Sequence, residues 1–220
     1  MRLFSLLALF AVVAVGCQKT SNTSSMTSAE HQPGVAESAE QVRPIGVGAT
    51  APSATMETVD GQSTTLAKVY QAKPAALIFY RGGWCPYCNI QLNVLQQSLP
   101  EFNKYNASLV AISPEVPDSS LSTKEKNNLE FTVLSDVGNE VAEKYGIVYT
   151  LPVSVKEQFE GRLDLPAYNA DQSWELPLAV TYVISPTGVI EYHFVEPDYR
   201  VRAEPSEIIA TLKMMSAEHE

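Results

Sequence analysis

The 220-residue chain is short of the residues on which most site chemistries depend. It has three histidines, and His31, His193 and His219 are too scattered to complete a tetrahedral zinc site with the one close cysteine pair, Cys85 and Cys88. No Ser/His/Asp set and no phosphate-cradling loop is evident, and no internal repeat. Lys and Arg total 15 against 25 Asp and Glu, giving a formal charge of −10. That balance argues against nucleic acid as a partner, because backbone binding needs clustered basic residues. The apolar run over residues 3–15 is too short for a permanent membrane span, which takes about 20 residues. Cysteine is scarce as well, at three residues, yet it carries the chemistry that is left: a dithiol site needing no bound cofactor and no metal.

The chain begins with one early arginine, the apolar run and then Gly16-Cys17, the layout of a secretory signal. Ala14-Val15-Gly16-Cys17 resembles a bacterial lipobox, in which the cysteine becomes the lipidated first residue of the mature protein. An ordinary cleaved signal and an uncleaved anchor are the alternatives. Residues 1–16 are thus expected to be a lipoprotein signal peptide and Cys17 a lipidation site facing the periplasm. Gln18, where an aspartate is absent, points to the outer membrane of a Gram-negative cell. Residues 17–44 are rich in Ser, Thr, Ala, Gln and Glu and read as a flexible tether, because they bury too little to offset chain entropy. Residues 45–220 have globular composition and the length of one domain.

Within the domain, residues 54–66 form a hairpin about Asp60-Gly61, and residues 74–80 a wholly apolar central strand. A long helix is expected from Pro86 to about 104, then strands at 108–113 and 131–134, with a short helix at 121–128 between them. A helix at 140–145 stops at Gly146, a hairpin turns across Pro186-Thr187-Gly188, and residues 205–215 form a closing helix. Residues 148–177 break the alternation and read as an insertion over one edge, a candidate to lie beside the cysteines. The pattern predicts a three-layer α/β/α sandwich with an N-terminal β-hairpin and an insertion before the last β-hairpin.

The junction between central strand and long helix carries Cys85-Pro86-Tyr87-Cys88. Pro86 suits the first helical position, which places Cys85 near the N-cap and Cys88 one turn in. Residues three apart on a helix have Cβ atoms roughly 5–6 Å apart, close to what a disulfide needs. The helix end favours a thiolate by about 0.3–2 kcal/mol, enough to lower a thiol pKa by up to about 1.5. Arg81 is a candidate thiolate stabiliser or else a surface ion pair, and Trp84 and Tyr87 either line a substrate groove or simply pack. A structural disulfide is the bland reading, although so small a loop constrains little unfolded-chain entropy. His193 reads as a partly buried strand residue, and Met214 and Met215 as helix packing. Asp198, Tyr199, Arg200 and Arg202 read as a solvated loop, with an arginine that reaches the site as the alternative.

Residues 79–88 (FYRGGWCPYC), Gly48 to Pro52 (G-x-x-A-P), Asp60 to Leu66 (D-G-Q-x-x-x-L) and residues 181–190 (TYVISPTGVI) resemble the alkyl hydroperoxide reductase/thiol-specific antioxidant family of peroxiredoxin-like proteins. The resemblance implies a thioredoxin-like fold and reduction of peroxides through a Cys85–Cys88 dithiol/disulfide cycle, with an electron-donating thiol reductase as partner. A thiol-disulfide reductase of the cell envelope is the first alternative, and a non-enzymatic binding module of the same fold the second. In a thioredoxin-type enzyme Cys85 would attack and Cys88 resolve. In the peroxiredoxin pattern P-x-x-x-T/S-x-x-C, Cys88 falls at the peroxide-reducing position, with Cys85 in place of the hydroxyl residue and Arg81 in place of the proline. Both the peroxiredoxin arginine and the thioredoxin cis-proline fall near Ala179, so each pattern is broken there.

Overall fold

Chain order in the computed structural model, which describes His31 and residues 33–217, alternates strands and helices around a twisted sheet. The strands are β1 (Val35–Ala36), β2 (Thr55–Thr58), β3 (Ser63–Thr65), β4 (Ala75–Phe79), β5 (Ser108–Ser113), β6 (Thr132–Ser135), β7 (Val148–Thr150), β8 (Glu175–Pro177), β9 (Thr181–Ile184) and β10 (Ile190–Phe194). The helices are α1 (Leu66–Gln71), α2 (Pro86–Lys104), α3 (Pro117–Lys126), α4 (Glu140–Lys144), α5 (Val153–Phe159), α6 (Leu165–Asn169) and α7 (Pro205–Ala217). Seven strands form one sheet in the order β10-β9-β4-β5-β6-β2-β3. β4, β5 and β6 run parallel at its centre and the hairpins β9–β10 and β2–β3 flank them antiparallel.

β4 is buried at all five positions because both of its faces are covered, which is why its sequence is uniformly apolar rather than alternating. Ala75, Leu77 and Phe79 point into one cluster with Leu66 and Tyr70 of α1, Val141 of α4 and Tyr145, which caps α4. Ala76 and Ile78 point into the other with Leu92, Leu95, Ile208 and Leu212 of α2 and α7. This is the expected three-layer arrangement, and the period of two along β4 supplies both cores.

One expectation is corrected. The segment read as a tether, residues 17–44, is packed along residues 33–44. β1 pairs in parallel with β7, Gly34 N–H donates to the Glu143 carbonyl at 3.0 Å, and a 3-10 turn at Ala39–Gln41 leads to the buried Val42. Three apolar residues, Ala36, Ala39 and Val42, scattered through a polar stretch pack it against the domain beside the β1 pairing. The insertion at residues 148–177 contains β7, α5, α6 and β8, and β1, β7 and β8 form a second small sheet. The signal peptide, Cys17 and the rest of residues 1–30 lie outside the described residues. Among the described residues no helix is long and apolar enough to cross a membrane.

Candidate active site

β4 delivers Tyr80 and Arg81 to the edge of the core, and a glycine pair turns the chain into α2. Both glycines are sterically required. Gly82 sits at φ +141°, and a Cβ there would lie 2.4 Å from Trp84 Nε1. A Cβ on Gly83 would lie 1.9 Å from Thr123 Oγ1. The turn closes with Cys85 N–H donating to the Gly82 carbonyl at 3.1 Å. Cys85 is the N-cap of α2, Pro86 its first residue and Cys88 its third. Both cysteines are free thiols, 1% and 0% exposed respectively.

The turn is held from behind by groups that no local sequence pattern reveals. Glu115, fully buried, accepts from Gly83 N–H at 3.0 Å and from the hydroxyls of Tyr80, Ser113 and Thr123, each at 3.3 Å. Burial pushes its carboxyl above the usual range, against the pull of these donors. Asn89 Nδ2 donates to the carbonyls of Gly83 and Cys85, and Asn127 Nδ2 donates to Asn89 Oδ1 at 2.8 Å, tying α3 to α2. Side chains 30 to 40 residues away in sequence thus fix the backbone on which the sulfurs stand.

The two thiols are electrostatically unequal. The Cys88 thiol donates towards Cys85 and lowers its pKa to about 6, a larger effect than its burial, which acts the other way. The Cys88 amide and the charges of Arg81 and Arg202 add to it, without a formal capping hydrogen bond. Cys88 is raised well above an ordinary thiol, first by burial and then by its bond to Cys85, with Arg202 opposing. One proton is therefore held on Cys88 and one negative charge on Cys85.

Arg81 does not form the surface ion pair considered for it. It is 5% exposed, and its guanidinium lies 5.0 Å from the Trp84 ring and 4.2 Å from the Tyr199 ring. Trp84 packs edge-on against Phe159 of α5, and Tyr87 against Tyr199. The polar run at 198–202 divides. Asp198 and Arg200 form an exposed pair at 2.7 Å, as a solvated loop would. Arg202 instead meets the alternative and turns inward: Nη2 lies 3.4 Å from Cys88 Sγ and Nη1 donates to Gln91 Oε1 at 3.0 Å. A guanidinium thus reaches the dithiol from the segment after β10 rather than from position 179. His193 is half-buried and bonds the Ile45 carbonyl, while Met215 packs and Met214 is exposed.

Cys85 opens on a groove of about 600 Å³. Arg81, Trp84, Pro86 and Tyr87 line it on the dithiol side, and residues of β7 and α5 form the opposite wall. Among the described residues the structure therefore brings together every candidate site residue named from the sequence, and it puts the insertion beside the cysteines.

A thioredoxin-like sheet with paired thiols at the entrance of the long helix defines the class, a dithiol protein of that fold. Residues 47–193 match the AhpC/TSA family, and the chain belongs to that family. It is 29% identical over 148 residues to Peroxiredoxin Q, chloroplastic, from Oryza sativa subsp. japonica, covering 67% of this chain and 58% of that protein. To Peroxiredoxin Bcp of Escherichia coli (strain K12) it is 28% identical over 106 residues, 48% of this chain and 67% of that one. The match thus spans less than two thirds of the plant relative's length. Peroxidoxin BcpB from Mycobacterium tuberculosis shares the fold with a TM-score of 0.62 at 19% identity, covering 78% of this chain and 98% of that chain. Xanthomonas campestris Peroxiredoxin Q does so with a TM-score of 0.58 at 17% identity, covering 74% and 91%.

Proposed function

We propose that the protein is a thiol peroxidase working through a Cys85–Cys88 dithiol/disulfide cycle. The observation that carries this reading is the charge separation in the dithiol: an ionised Cys85 facing a groove, with a protonated Cys88 one turn behind it. The Cys85 thiolate attacks one peroxide oxygen, the O–O bond breaks, and the departing alkoxide or hydroxide takes a proton and leaves as alcohol or water. The resulting sulfenic acid condenses with the Cys88 thiol, releasing water and closing the disulfide. Two electrons from a dithiol reductase of the cell envelope reopen it. Arg81 and the α2 N-terminus hold the thiolate, Trp84 and Tyr87 shape the approach, and Pro86 starts the helix without an unpaired amide.

Arg202 against Cys88 favours a second assignment within the same reaction, with Cys88 as the attacking sulfur at the position the family pattern gives it. Exchange with a disulfide substrate, Cys85 attacking and Cys88 expelling the product, is the other reading this geometry accommodates. We further read Cys17 as lipid-modified, holding the domain at a membrane on the periplasmic side. Incorporation of a palmitate analogue that is lost in Cys17→Ala tests that point.

The test of function compares hydrogen peroxide and insulin-disulfide turnover in wild type, Cys85→Ser and Cys88→Ser. Peroxide turnover is expected to vanish in both variants, with a dimedone-trapped sulfenic acid on Cys85 in Cys88→Ser. Trapping on Cys88 in Cys85→Ser instead would transfer the nucleophile's role. Insulin reduction without peroxide turnover would select the reductase, and full turnover in both variants would remove the site.

A further inference from the structure

Arg81 is held in an unusual way for a buried cation. It stands just past the end of β4, its Nε is enclosed without a hydrogen-bond partner, and among the described residues it forms no ion pair. A buried charge ordinarily needs a partner of opposite sign. Two aromatic faces take that place here. The guanidinium carbon is within the roughly 6 Å reach of a cation–π contact from both ring centres, 5.0 Å from Trp84 and 4.2 Å from Tyr199. Trp84 belongs to the turn before α2, whereas Tyr199 comes from the segment joining β10 to α7. The acids nearest to Tyr199 in sequence are engaged elsewhere. Asp198 accepts from Arg200 Nε at 2.8 Å and from Nη2 at 2.7 Å, and Glu196 accepts from the Asp198 amide at 3.2 Å. No Asp or Glu lines the groove that Arg81 and Cys85 share. Tyr199 is itself braced edge-on by Tyr87 of α2, with ring centres 5.7 Å apart. The segment thus presents a neutral ring to the guanidinium, and the positive charge stays uncancelled.

Resting on the reading of Cys85 as the ionised sulfur, we propose that Tyr199 is a positioning residue for the dithiol. Its ring pins the Arg81 guanidinium, shielded from water and unpaired with any acid, where the charge stabilises the Cys85 thiolate. The groups that face Cys85 are Cys88 of α2, Arg81 after β4, Arg202 after β10 and Tyr149 of β7, with Arg162 on the far wall of the groove and Glu40 acting on Tyr149. The Cys88 thiol acts on Cys85 most strongly, and Arg81 is the first full charge after it. An arginine in open solvent is screened by water and salt, whereas one enclosed between two rings carries its field to the sulfur with less loss. A carboxylate in the place of Tyr199 would hold the guanidinium and cancel its charge. A ring holds it, because a planar guanidinium stacks on aromatic faces, and leaves the charge in place.

The experiment follows alkylation of Cys85 by iodoacetamide in the reduced protein as a function of pH. Tyr199→Leu is expected to move the midpoint up from about 6 by about 0.5–1 pH unit, which slows alkylation at pH 6 about two- to fivefold. Tyr199→Phe keeps the ring and is expected to keep the wild-type midpoint. Arg81→Gln is expected to raise the midpoint at least as far as Tyr199→Leu does. Adding Tyr199→Leu to Arg81→Gln is expected to change nothing more, because the ring acts only through the cation. Tyr199 is 36% exposed, so its truncation leaves the buried core intact. An unchanged midpoint in Tyr199→Leu, an equal rise in Tyr199→Phe, or a further rise of the same size on the Arg81→Gln background would each overturn the proposal. Peroxide turnover is measured alongside. Its absence with the midpoints as expected would remove the peroxidase reading and leave the role of Tyr199 standing, whereas a wild-type midpoint near that of free cysteine, about 8.5, would remove both.

Discussion

At the scale of single residues, function reduces to where one proton sits. Cys85, with its pKa lowered to about 6, is about nine-tenths ionised at pH 7, while Cys88 behind it stays protonated. Alkylation of the reduced protein is expected to follow a single ionisation with its midpoint near pH 6, assigned to Cys85 by peptide mapping; a midpoint near that of free cysteine, about 8.5, contradicts the assignment. The same inequality links ionisation to stability. Cys85 is depressed in the folded state, so its contribution to the reduced protein is complete above the unfolded thiol value and is lost as pH falls through about 6. Cys88 is raised, so its effect is confined to alkaline pH, where the unfolded chain ionises first and stability falls again. Urea unfolding of the reduced protein should therefore show stability rising between pH 6 and about 9, a rise absent from Cys85→Ser. Arg202 belongs to the second chemical step. As Cys88 attacks the sulfenic sulfur it develops negative charge 3.4 Å from Nη2. A hydrogen bond to a charged group is worth about 1.5–3 kcal/mol, so Arg202→Gln is expected to slow disulfide closure by roughly 10- to 100-fold. Stopped-flow tryptophan fluorescence, with a longer-lived dimedone-reactive species, reads that delay; an unchanged closure rate would reduce Arg202 to packing.

At the scale of elements, the dithiol stands on α2, but its rigidity comes from the end of β5 and from α3. Glu115 joins both to the turn through four donors. Glu115→Ala leaves those donors unpaired in a closed interior and is expected to cost about 3 kcal/mol in urea denaturation. Glu115→Gln keeps the volume and part of the bonding and is expected to cost less than Glu115→Ala, and its cost relative to wild type shrinks as pH rises and the buried wild-type carboxyl ionises. Equal losses in the two variants would show that hydrogen bonding is not what Glu115 supplies. These elements were unequally legible in the sequence. The bounds of α2 and β5 could be read because Pro86 marks a helix start and an unbroken apolar run marks a central strand. α3 begins at Pro117, four residues before the apolar position from which it was read, because the proline at its first turn carries the signal. α1, α5 and α6 are five to seven residues long, too short for a helical period to emerge, and their stability comes from packing. Glu115 could not be read at all, and for Arg202 the polar run left open which arginine, if any, reaches the site. Nothing local separates a buried glutamate in Ser113-Pro114-Glu115-Val116-Pro117 from a solvated one, and the partner of Arg202 is 114 residues away.

At the scale of the whole molecule, the strap at residues 33–44 ties the second sheet, and so one wall of the groove, to the rest of the chain. β1 extends that sheet through Val35 and Ala36 against Val148 and Tyr149, and Tyr149 and Ala39 both line the groove. Val42 lies in the core with 6% of its surface exposed. A chain beginning at residue 45 loses these contacts, while one beginning at residue 31 keeps them, together with the His31 bond to the Arg43 carbonyl. Burying one valine side chain contributes about 1.5–3 kcal/mol, and each kcal/mol moves Tm by about 2–4 °C in a domain of this size. The shorter chain is therefore expected to melt about 5–10 °C below the longer one. Its groove should loosen too, raising KM for a bulky hydroperoxide by more than KM for hydrogen peroxide, because only the larger molecule spans the wall that β7 supports. Coincident melting curves would show that the strap rests on the domain without stabilising it. A lowered Tm with both KM values unchanged would mean that the strap supports the core while the groove keeps its shape through α5 and the turn before α2, where Phe159 and Trp84 already meet edge to face.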